Sequence, residues 1–394
     1  MAVEDPGAAA TGKRQYRIEA IDRLRGLVLI LMVLDHVREY FSAAALQFEP
    51  TDLTRTTALL FATRWVTHLC APTFVFLAGV SVHLMSRRRS GLDTAAIVAG
   101  RGLWLIALEF SLISFAFSFA WPFFLVQVIW AIGASLVLSA ALLKVNRSAL
   151  LLAGIALVIA IPMVTATLPL DLRPNDAMWK LLFQPGALGT TGMVAYPLLP
   201  WFAIFLIGLG LAPMFEAEEA VRRKRARRLG LAMLALFVVL RLSLSVGDPA
   251  PFVPRDSLTR DIEALLNVAK YPPSPMFVLV MLGCSLCLYA ALERLRGRLS
   301  GILVAFGRAP FFTYVLHIFL VHGSAMIAGI LLGFPASAFT NFIADTSALK
   351  AAHWGVGLPG VYAIWVATVC LLYPCARWFA GVKQRHASPW LTFL

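Results

Sequence analysis

The chain has 394 residues, of which 60% are apolar and 14% charged, and its formal net charge is +13. A soluble domain carries about 25% charged residues, so this composition excludes an ordinary soluble protein and indicates a polytopic membrane protein. The positive charge does not indicate nucleic-acid binding, because no nucleic-acid motif and no interleaved aromatic residues accompany the basic residues. Because the apolar segments are long enough to form membrane-spanning helices, the expected fold class is all-α.

The first 16 residues, MAVEDPGAAATGKRQY, contain no apolar run. The first apolar segment is followed by no small-residue cleavage site, so we expect no cleavable signal peptide. We predict a disordered cytoplasmic arm over residues 1–16 and a single transmembrane domain over residues 17–394.

Apolar segments of about 18–25 residues can cross a bilayer. We place about ten, at 24–44, 60–86, 102–119, 123–143, 149–168, 197–215, 229–246, 273–293, 310–333 and 358–378. Lys and Arg concentrate in alternate connections, including the run VRRKRARR at 221–228, which we interpret as a cytoplasmic loop. The positive-inside rule then predicts cytoplasmic N and C termini. The stretch 301–333 is long enough to include a cytoplasmic re-entrant piece that ends near Arg308.

The first predicted span lies within residues 17–41, RIEAIDRLRGLVLILMVLDHVREYF. On a helix with 3.6 residues per turn, Arg25 and His36 are eleven positions apart and return to nearly the same face. Asp22 lies within about 40° of that face, and His36 is about 16 Å beyond Arg25. This geometry predicts a charged ligand at one end of the helix and chemistry near the other.

Ionisable residues inside spans are costly in lipid, so each is a candidate functional residue. Asp35 and His36 lie toward the outer end of the first span. Arg64 and His68, four residues apart on the second span, share a helix face at a similar depth. We therefore predict that these four residues form a catalytic cluster. A neutral imidazole there could accept a proton from an acceptor hydroxyl or amine, with Asp35 or a neighbouring acid orienting it.

Structural roles are the alternative for the same residues. Asp35 can form an ion pair with Arg38, three residues further on, and His68 can join a hydrogen-bond network with Thr67 or Thr73.

Two other groups of polar residues lie inside predicted spans, and the first is predicted to be structural. Glu109, deep in the third span, is expected to pair with Arg241. His317 and His322 are five residues apart and do not share a helix face, which disfavours a metal site between them. We expect no bound metal.

Several motifs follow one another along the chain. They are R-I-x-x-I-D-x-L-R-G-L-x-x-x-L-M-V-L-D-H, THLCAPTFVFLAG, RGLWLIALE, YPLLPWFAIFLIGLG, KYPPSPMFVLVMLG and FGRAPFFTYVLH. Together they resemble the bacterial membrane proteins grouped with heparan-alpha-glucosaminide N-acetyltransferase, from about Arg17 to the C-terminal PWL. The opening D-x-L-R-G alone is shared with wider groups of transmembrane acyltransferases.

The resemblance implies an enzyme of the bacterial inner membrane that takes an acyl group, usually acetyl, from cytoplasmic coenzyme A. It delivers this group to a hydroxyl or amine at the outer side, commonly of a sugar or glycoconjugate. Asp22, Arg23 and Arg25 match the opening motif of the family, and bidentate arginine contacts suit the phosphates of the donor. Arg101 is a further candidate for the same phosphates.

His36 and His68 fall in the first two span motifs of the family. The animal lysosomal enzyme has its active histidine in the segment joining the first two spans, whereas residues 41–67 of this chain contain no histidine. The resemblance therefore implies that His36 or His68 takes this role. We predict His36 as general base with support from Asp35, and His68 or Arg64 polarising the acyl oxygen. Direct transfer and an acyl-histidine intermediate both stay open.

The competing class is a transporter or channel for a small polar or lipid-linked solute, with the buried charges as a relay. A transporter often shows repeated halves, and this sequence has no convincing internal repeat. A third alternative is a structural partner of another membrane protein. Besides the bilayer, acyl-coenzyme A and the acceptor, the sequence allows a second copy of the chain as a partner.

Overall fold

The computed structural model describes residues 18–87, 91–169, 172–173, 175–243, 248, 251–340, 342–343 and 345–385, and within them the protein is mostly helical. The predicted arm over residues 1–16 lies outside this range. The described α-helices are α1 (Glu19–Phe41), α2 (Ala43–Gln47), α3 (Ala58–Thr67), α4 (Cys70–Ser86), α5 (Gly91–Leu108), α6 (Ser114–Ser118), α7 (Val128–Ala141), α8 (Arg147–Thr167), α9 (Asp176–Leu182), α10 (Leu198–Leu211), α11 (Glu219–Ser243), α12 (Leu258–Leu266), α13 (Pro275–Leu292), α14 (Gly297–Arg308), α15 (Pro310–Leu331), α16 (Ser347–Ala351) and α17 (Leu358–Arg385).

Seven segments of the described chain are long and apolar enough to cross a membrane. They are Ala58–Ser86, Gly91–Ser118, Arg147–Thr167, Leu198–Glu216, Pro275–Leu292, Pro310–Leu331 and Leu358–Arg385. Each coincides with a predicted span, which identifies an integral membrane protein. The other three predicted spans correspond to α1 and α11, which carry more charged residues, and to α7, which has 14 residues. The count of ten and the side of the termini stay predictions.

Helix α1 lies inside the bundle, in contact with α3, α4, α13, α14, α15 and α17. Gly26 and Gly307 let α1 and α14 approach closely. A Cβ on Gly26 would clash with the backbone carbonyl of Leu303, and one on Gly307 with the carbonyl of Asp22. Because protein rather than lipid surrounds it, α1 can carry charged side chains that a lipid-facing helix could not.

A small three-stranded sheet adds β-structure that the sequence did not predict. Its strands are β1 (Phe124–Val126), β2 (Gly186–Ala187) and β3 (Gly192–Val194), in the order β1-β3-β2. β1 pairs parallel with β3, and β2 pairs antiparallel with β3. The strands lie between α6 and α7 and between α9 and α10, so the helical bundle itself agrees with the all-α expectation.

Two sequence interpretations of the polar connections have different outcomes. The run at 221–228 forms the first half of α11, so its interpretation as a loop is wrong. Arg222 in this run is buried and donates a hydrogen bond to Glu293. The stretch 301–333 is divided as predicted, because α14 ends at Arg308 and α15 begins at Pro310. The side of the membrane from which α14 enters stays a prediction.

Candidate functional site

Asp35 on α1 is the centre of a charged network. Its Oδ1 accepts hydrogen bonds from the guanidinium groups of Arg38 at 3.0 Å and Arg64 at 2.8 Å, and from the hydroxyl of Thr67 at 2.9 Å. Arg38 and Arg64 are both buried. The structural pair with Arg38 and the predicted approach of Arg64 are therefore both present, and the carboxylate ties α3 to α1.

His68 lies at the junction between α3 and α4 and is buried. Its Nδ1 has no hydrogen-bond partner among the described residues. Thr67 donates to Asp35, and Thr73 bonds to Leu69 on the same chain segment and to a serine of α13. The alternative role of His68 in a network with these threonines is therefore wrong.

Arg64 and His68 line a cavity of about 390 Å³, which is large enough for a sugar-sized ligand. Its other walls come from the connection after α2, from α11 and α12, and from the segment before α13. The charged residues that line it are Glu49, Arg64, Arg241, Arg255 and Lys270. Two of these four cations face carboxylates outside the lining, because Arg64 pairs with Asp35 and Arg241 lies 3.7 Å from Asp248, so Arg255 and Lys270 contribute most of the positive charge at the wall.

Lys270 and Tyr271 form one wall of the cavity. Lys270 is 6% exposed, forms no ion pair with a carboxylate of the described residues, and has its Nζ 4.9 Å from the centre of the Tyr271 ring. Partial burial alone would raise the pKa of Tyr271, but the charges of Lys270 and Arg64 outweigh it and lower that pKa below its ordinary value. The hydroxyl of Tyr196 lies 3.5 Å from that of Tyr271, and burial raises the pKa of Tyr196.

His36 faces other partners than Asp35 does. Its Nδ1 lies 2.6 Å from Nε2 of His317 on α15, and its ring packs edge-on against Phe117, with the centroids 5.2 Å apart. Both residues are described, and no hydrogen bond joins Asp35 to His36. The prediction that Asp35 orients His36 is therefore wrong, because successive helix positions point about 100° apart and Asp35 is held by α3. The predicted catalytic cluster is therefore divided, because Asp35 meets Arg64 of α3 on one face of α1 whereas His36 meets His317 of α15 on another.

The predicted donor-binding residues at the start of α1 are tied into the protein. Arg23 donates to Ser300 at 2.7 Å and to Glu19 at 2.6 Å. Arg25 lies 3.6 Å from Asp22, and its side chain is 21% exposed whereas that of Asp22 is 2% exposed. Arg25 also donates hydrogen bonds to the Ser81 hydroxyl and, at 3.5 Å, to the backbone carbonyl of Leu77 on α4. Its side chain is nevertheless more exposed than that of Arg23, which is 6% exposed.

Arg308 at the end of α14 joins this cluster, although the sequence reasoning did not assign it to a site. Its guanidinium lies 3.6 Å from Glu19 and 3.8 Å from Asp22, and its Nε has no hydrogen-bond partner among the described residues. Arg308 is part of the motif FGRAPFFTYVLH, which contributes to the family resemblance, so the motif pointed to this part of the chain. Arg101 on α5 has no hydrogen bond or ion pair with any residue that the structure describes, so nothing ties it to this cluster.

The family profile described as heparan-alpha-glucosaminide N-acetyltransferase, catalytic, matches residues 17–246. This range covers more than half of the chain and includes both ends of α1. The chain belongs to this family. No curated protein matches it. Membership makes the protein a transmembrane acetyltransferase-like protein, and this family in general uses acetyl-coenzyme A as donor.

Several of the residues described above lie beyond the range matched by the acetyltransferase family. They include Lys270, Arg308 and His317, which complete the cavity, the charged end of α1 and the contact with His36. Sequence spacing did not bring any of them to the predicted site, because each reaches α1 or the cavity from a distant part of the chain.

The predicted ion pair between Glu109 and Arg241 is wrong. Glu109 accepts hydrogen bonds from the backbone N–H groups of Gln127 at 3.0 Å and Trp130 at 2.9 Å, at the start of α7. A carboxylate in this position satisfies amide groups that have no partner within the helix. Arg241 instead donates to backbone carbonyls near α12 and lies 3.7 Å from Asp248. Within the described residues, no group of three or more His, Cys, Asp or Glu side chains is arranged to hold a metal ion.

Proposed function

We propose that the protein transfers an acyl group, acetyl in the first instance, from cytoplasmic coenzyme A to a hydroxyl or amine of a sugar or glycoconjugate at the outer side of a bacterial inner membrane. The match to the catalytic region of the family carries this proposal. Helix α1 supports it, because a cationic cluster lies at its start and His36 lies eleven residues beyond Arg25, about 16 Å along the helix.

The start of α1 is the proposed site for the donor. Arg25 and Arg308 offer guanidinium groups to the phosphates of coenzyme A, and arginine binds phosphate oxygens through two parallel hydrogen bonds. Asp22 lies between them and keeps both side chains in place. Arg23 is bonded to Ser300 and Glu19 and its side chain is only 6% exposed, against 21% for Arg25, so we assign Arg23 to fixing α1 in position. Arg101 is kept as a separate candidate for phosphate binding.

The acceptor is proposed to occupy the cavity lined by Arg64 and His68. Its hydroxyl or amine attacks the thioester carbonyl, and His36 takes the proton of the nucleophile. His36 does not line this cavity and is 8% exposed, so the reacting end of the acceptor has to extend past the wall formed by Arg64 to reach it. Arg64 or His68 stabilises the oxyanion, while Asp35 holds Arg64 in place. The bond between the carbonyl carbon and sulfur then breaks, and the imidazolium returns its proton to the leaving thiolate. Transfer through an acyl-histidine would use the same groups in two steps.

Binding of acetyl-coenzyme A to the purified protein in lipid nanodiscs tests the donor site. Arg25→Ala should weaken this binding about 10-fold or more, since a charge-assisted hydrogen bond contributes about 1.5–3 kcal/mol. Arg55→Ala is the matched control, because Arg55 packs on Phe48 near the other end of α1. The proposal is wrong if the protein does not bind the donor, or if Arg25→Ala binds it as the unaltered protein does.

Acetyl transfer with glucosamine as the acceptor probe tests the chemistry. His36→Ala should lower the rate of coenzyme A release by about 10²–10⁴-fold, the usual contribution of a general base. His68→Ala should lower it less, because Arg64 can still stabilise the oxyanion. A rate that His36→Ala leaves unchanged would exclude His36 as the base.

A further inference from the structure

His36 and His317 form a hydrogen-bonded pair between α1 and α15. His36 Nδ1 lies 2.6 Å from His317 Nε2, and the two rings are nearly parallel, with their centroids 4.9 Å apart. On its other side, His317 Nδ1 lies 3.1 Å from the backbone carbonyl oxygen of Thr313. Three groups therefore follow one another in a line: His36, His317 and the Thr313 carbonyl.

The carbonyl at the end of this line decides which ring nitrogen carries each proton. A carbonyl oxygen can only accept a hydrogen bond, so Nδ1 of His317 must donate. A neutral His317 with its proton on Nδ1 has a lone pair on Nε2, which can accept from His36. His36 must then hold its own proton on Nδ1, and its lone pair lies on Nε2.

The other two arrangements are unfavourable at this place. A proton on Nε2 of His36 would bring two nitrogen lone pairs to face each other at 2.6 Å. A doubly protonated His317 would place a charge at a position that is 0% exposed and has no carboxylate partner among the described residues. Burying an unpaired charge costs far more than burying a neutral imidazole.

The two histidines differ in what they can reach. His36 is 8% exposed, whereas His317 is 0% exposed, with Tyr314 beside its ring at a centroid distance of 5.5 Å. His317 therefore cannot touch an acceptor and can act only through His36.

We propose that His317 is a positioning residue that keeps the lone pair of His36 on Nε2, ready to take the proton of the acceptor. This inference rests on the proposed function, in which His36 is the general base. The proton passes from the acceptor to His36 Nε2 while the new bond to the acetyl carbon forms and the carbon–sulfur bond breaks. An aspartate performs this orienting role in the serine-protease triad, and here a neutral histidine replaces it.

Histidine-selective ¹⁵N solid-state NMR of the protein in lipid bilayers tests the arrangement without any assay of activity. The spectrum distinguishes protonated from unprotonated ring nitrogens, and the His36→Asn and His317→Gln variants assign the signals. We expect His36 and His317 of the unaltered protein both to carry their proton on Nδ1. A proton on Nε2 of His36 overturns the proposal.

Two substitutions of His317 test its role in transfer. In His317→Gln, an amide oxygen lies about as far from Cβ as Nε2 does and can still accept from His36, whereas His317→Leu removes the acceptor. We expect His317→Leu to lower kcat about 10²-fold with the KM for acetyl-coenzyme A unchanged, and His317→Gln to recover most of this loss. Equal kcat values for the two variants overturn the proposal.

His322 supplies the matched control for the loss of a buried histidine. It lies on the same helix and is also 0% exposed, but its ring nitrogens face the carbonyls of Ala116 and Phe339. We expect His322→Leu to leave kcat and the proton position on His36 unchanged. If the unaltered protein shows both Nδ1 protons but transfers no acetyl group to glucosamine or any other amine or hydroxyl probe, the proposed function fails while the assignment of the protons is supported.

Discussion

Asp35 and His36 are consecutive residues of α1, and the structure holds them in opposite ways. One oxygen of Asp35 accepts from two arginines and a threonine, all on its own helix or on α3. His36 has one neutral partner, which lies 281 residues further along the chain. A carboxylate bonded to two cations has little freedom to take a proton, whereas a neutral imidazole with one free nitrogen can do so. We therefore propose that Asp35 stabilises the site and that His36 takes part in its chemistry.

The largest expected effect comes from Asp35→Ala, which removes the carboxylate at the centre of the charged network. The substitution leaves Arg38 and Arg64 buried without their shared carboxylate, so we expect the free energy of unfolding to fall by about 3–5 kcal/mol. Thermal unfolding of the purified protein in detergent measures the loss. Asp52→Ala is the control, because the carboxylate of Asp52 accepts only from Thr54 at an exposed turn and its loss should cost less than about 1 kcal/mol. Similar stabilities for Asp35→Ala and the unaltered protein would contradict the assignment.

Lys270 extends the comparison to a buried cation without a carboxylate partner among the described residues. Lys270→Met should raise the free energy of unfolding by about 1–2 kcal/mol, because it removes a charge whose burial is only partly offset. Arg64→Met, which leaves Asp35 with one arginine fewer, should lower it instead. Both variants are measured by the same thermal unfolding. A less stable Lys270→Met would show that Lys270 is held as firmly as Arg64 is.

The sequence predicted the features that depend on local pattern. Apolar length gave the position of the seven spans that the structure supports, and charge within an apolar helix led to α1. The similar depth of the two spans correctly predicted that Arg64 approaches Asp35, whereas the spacing of four residues predicted a shared helix face for Arg64 and His68. The same rule did not predict the break between α3 and α4 at His68.

The sequence could not predict contacts that depend on how distant helices pack. The sequence allowed His317 to be compared only with His322 on the same helix, as a possible metal site, whereas the hydrogen-bond partner of His317 is His36 on α1. Glu109 was expected to need a cation, but the backbone amides of α7 satisfy it. The dense positive charge of VRRKRARR indicated a solvent-exposed loop, but the pattern did not show that this segment is helical and forms the first half of α11. In each case the local pattern identified a polar residue that is unfavourable to bury. It could not identify the distant group that hydrogen-bonds to that residue.

Thr67→Val tests the same network around Asp35, and a smaller loss of stability is expected. It removes one of the three donors to the carboxylate but leaves both arginines, so we expect a loss of about 1 kcal/mol, the usual net value of one hydrogen bond. Thr73→Val, six residues further on, is the comparison variant: it also removes a buried hydrogen bond, to Ser285, but outside the Asp35 network, so we expect a similar loss. If Thr67→Val is as damaging as Asp35→Ala, the network depends on the threonine rather than on the two cations.

Tyr271 gives the smallest effect, a change in titration. Because Lys270 and Arg64 lower its pKa below the ordinary value of about 10, one tyrosine should ionise before the others when absorbance near 295 nm is followed against pH. A lowered pKa in the folded state stabilises the fold above the unfolded pKa, and this gain is lost as the pH falls through the folded pKa. Tyr271→Phe should remove both the early ionisation and the gain at high pH. Lys270→Met should move the early ionisation to higher pH, and Tyr196→Phe should keep it, because burial raises the pKa of Tyr196. If the early ionisation persists in Tyr271→Phe, it belongs to another tyrosine. The lowering of the Tyr271 pKa by Lys270 and Arg64 would then be contradicted.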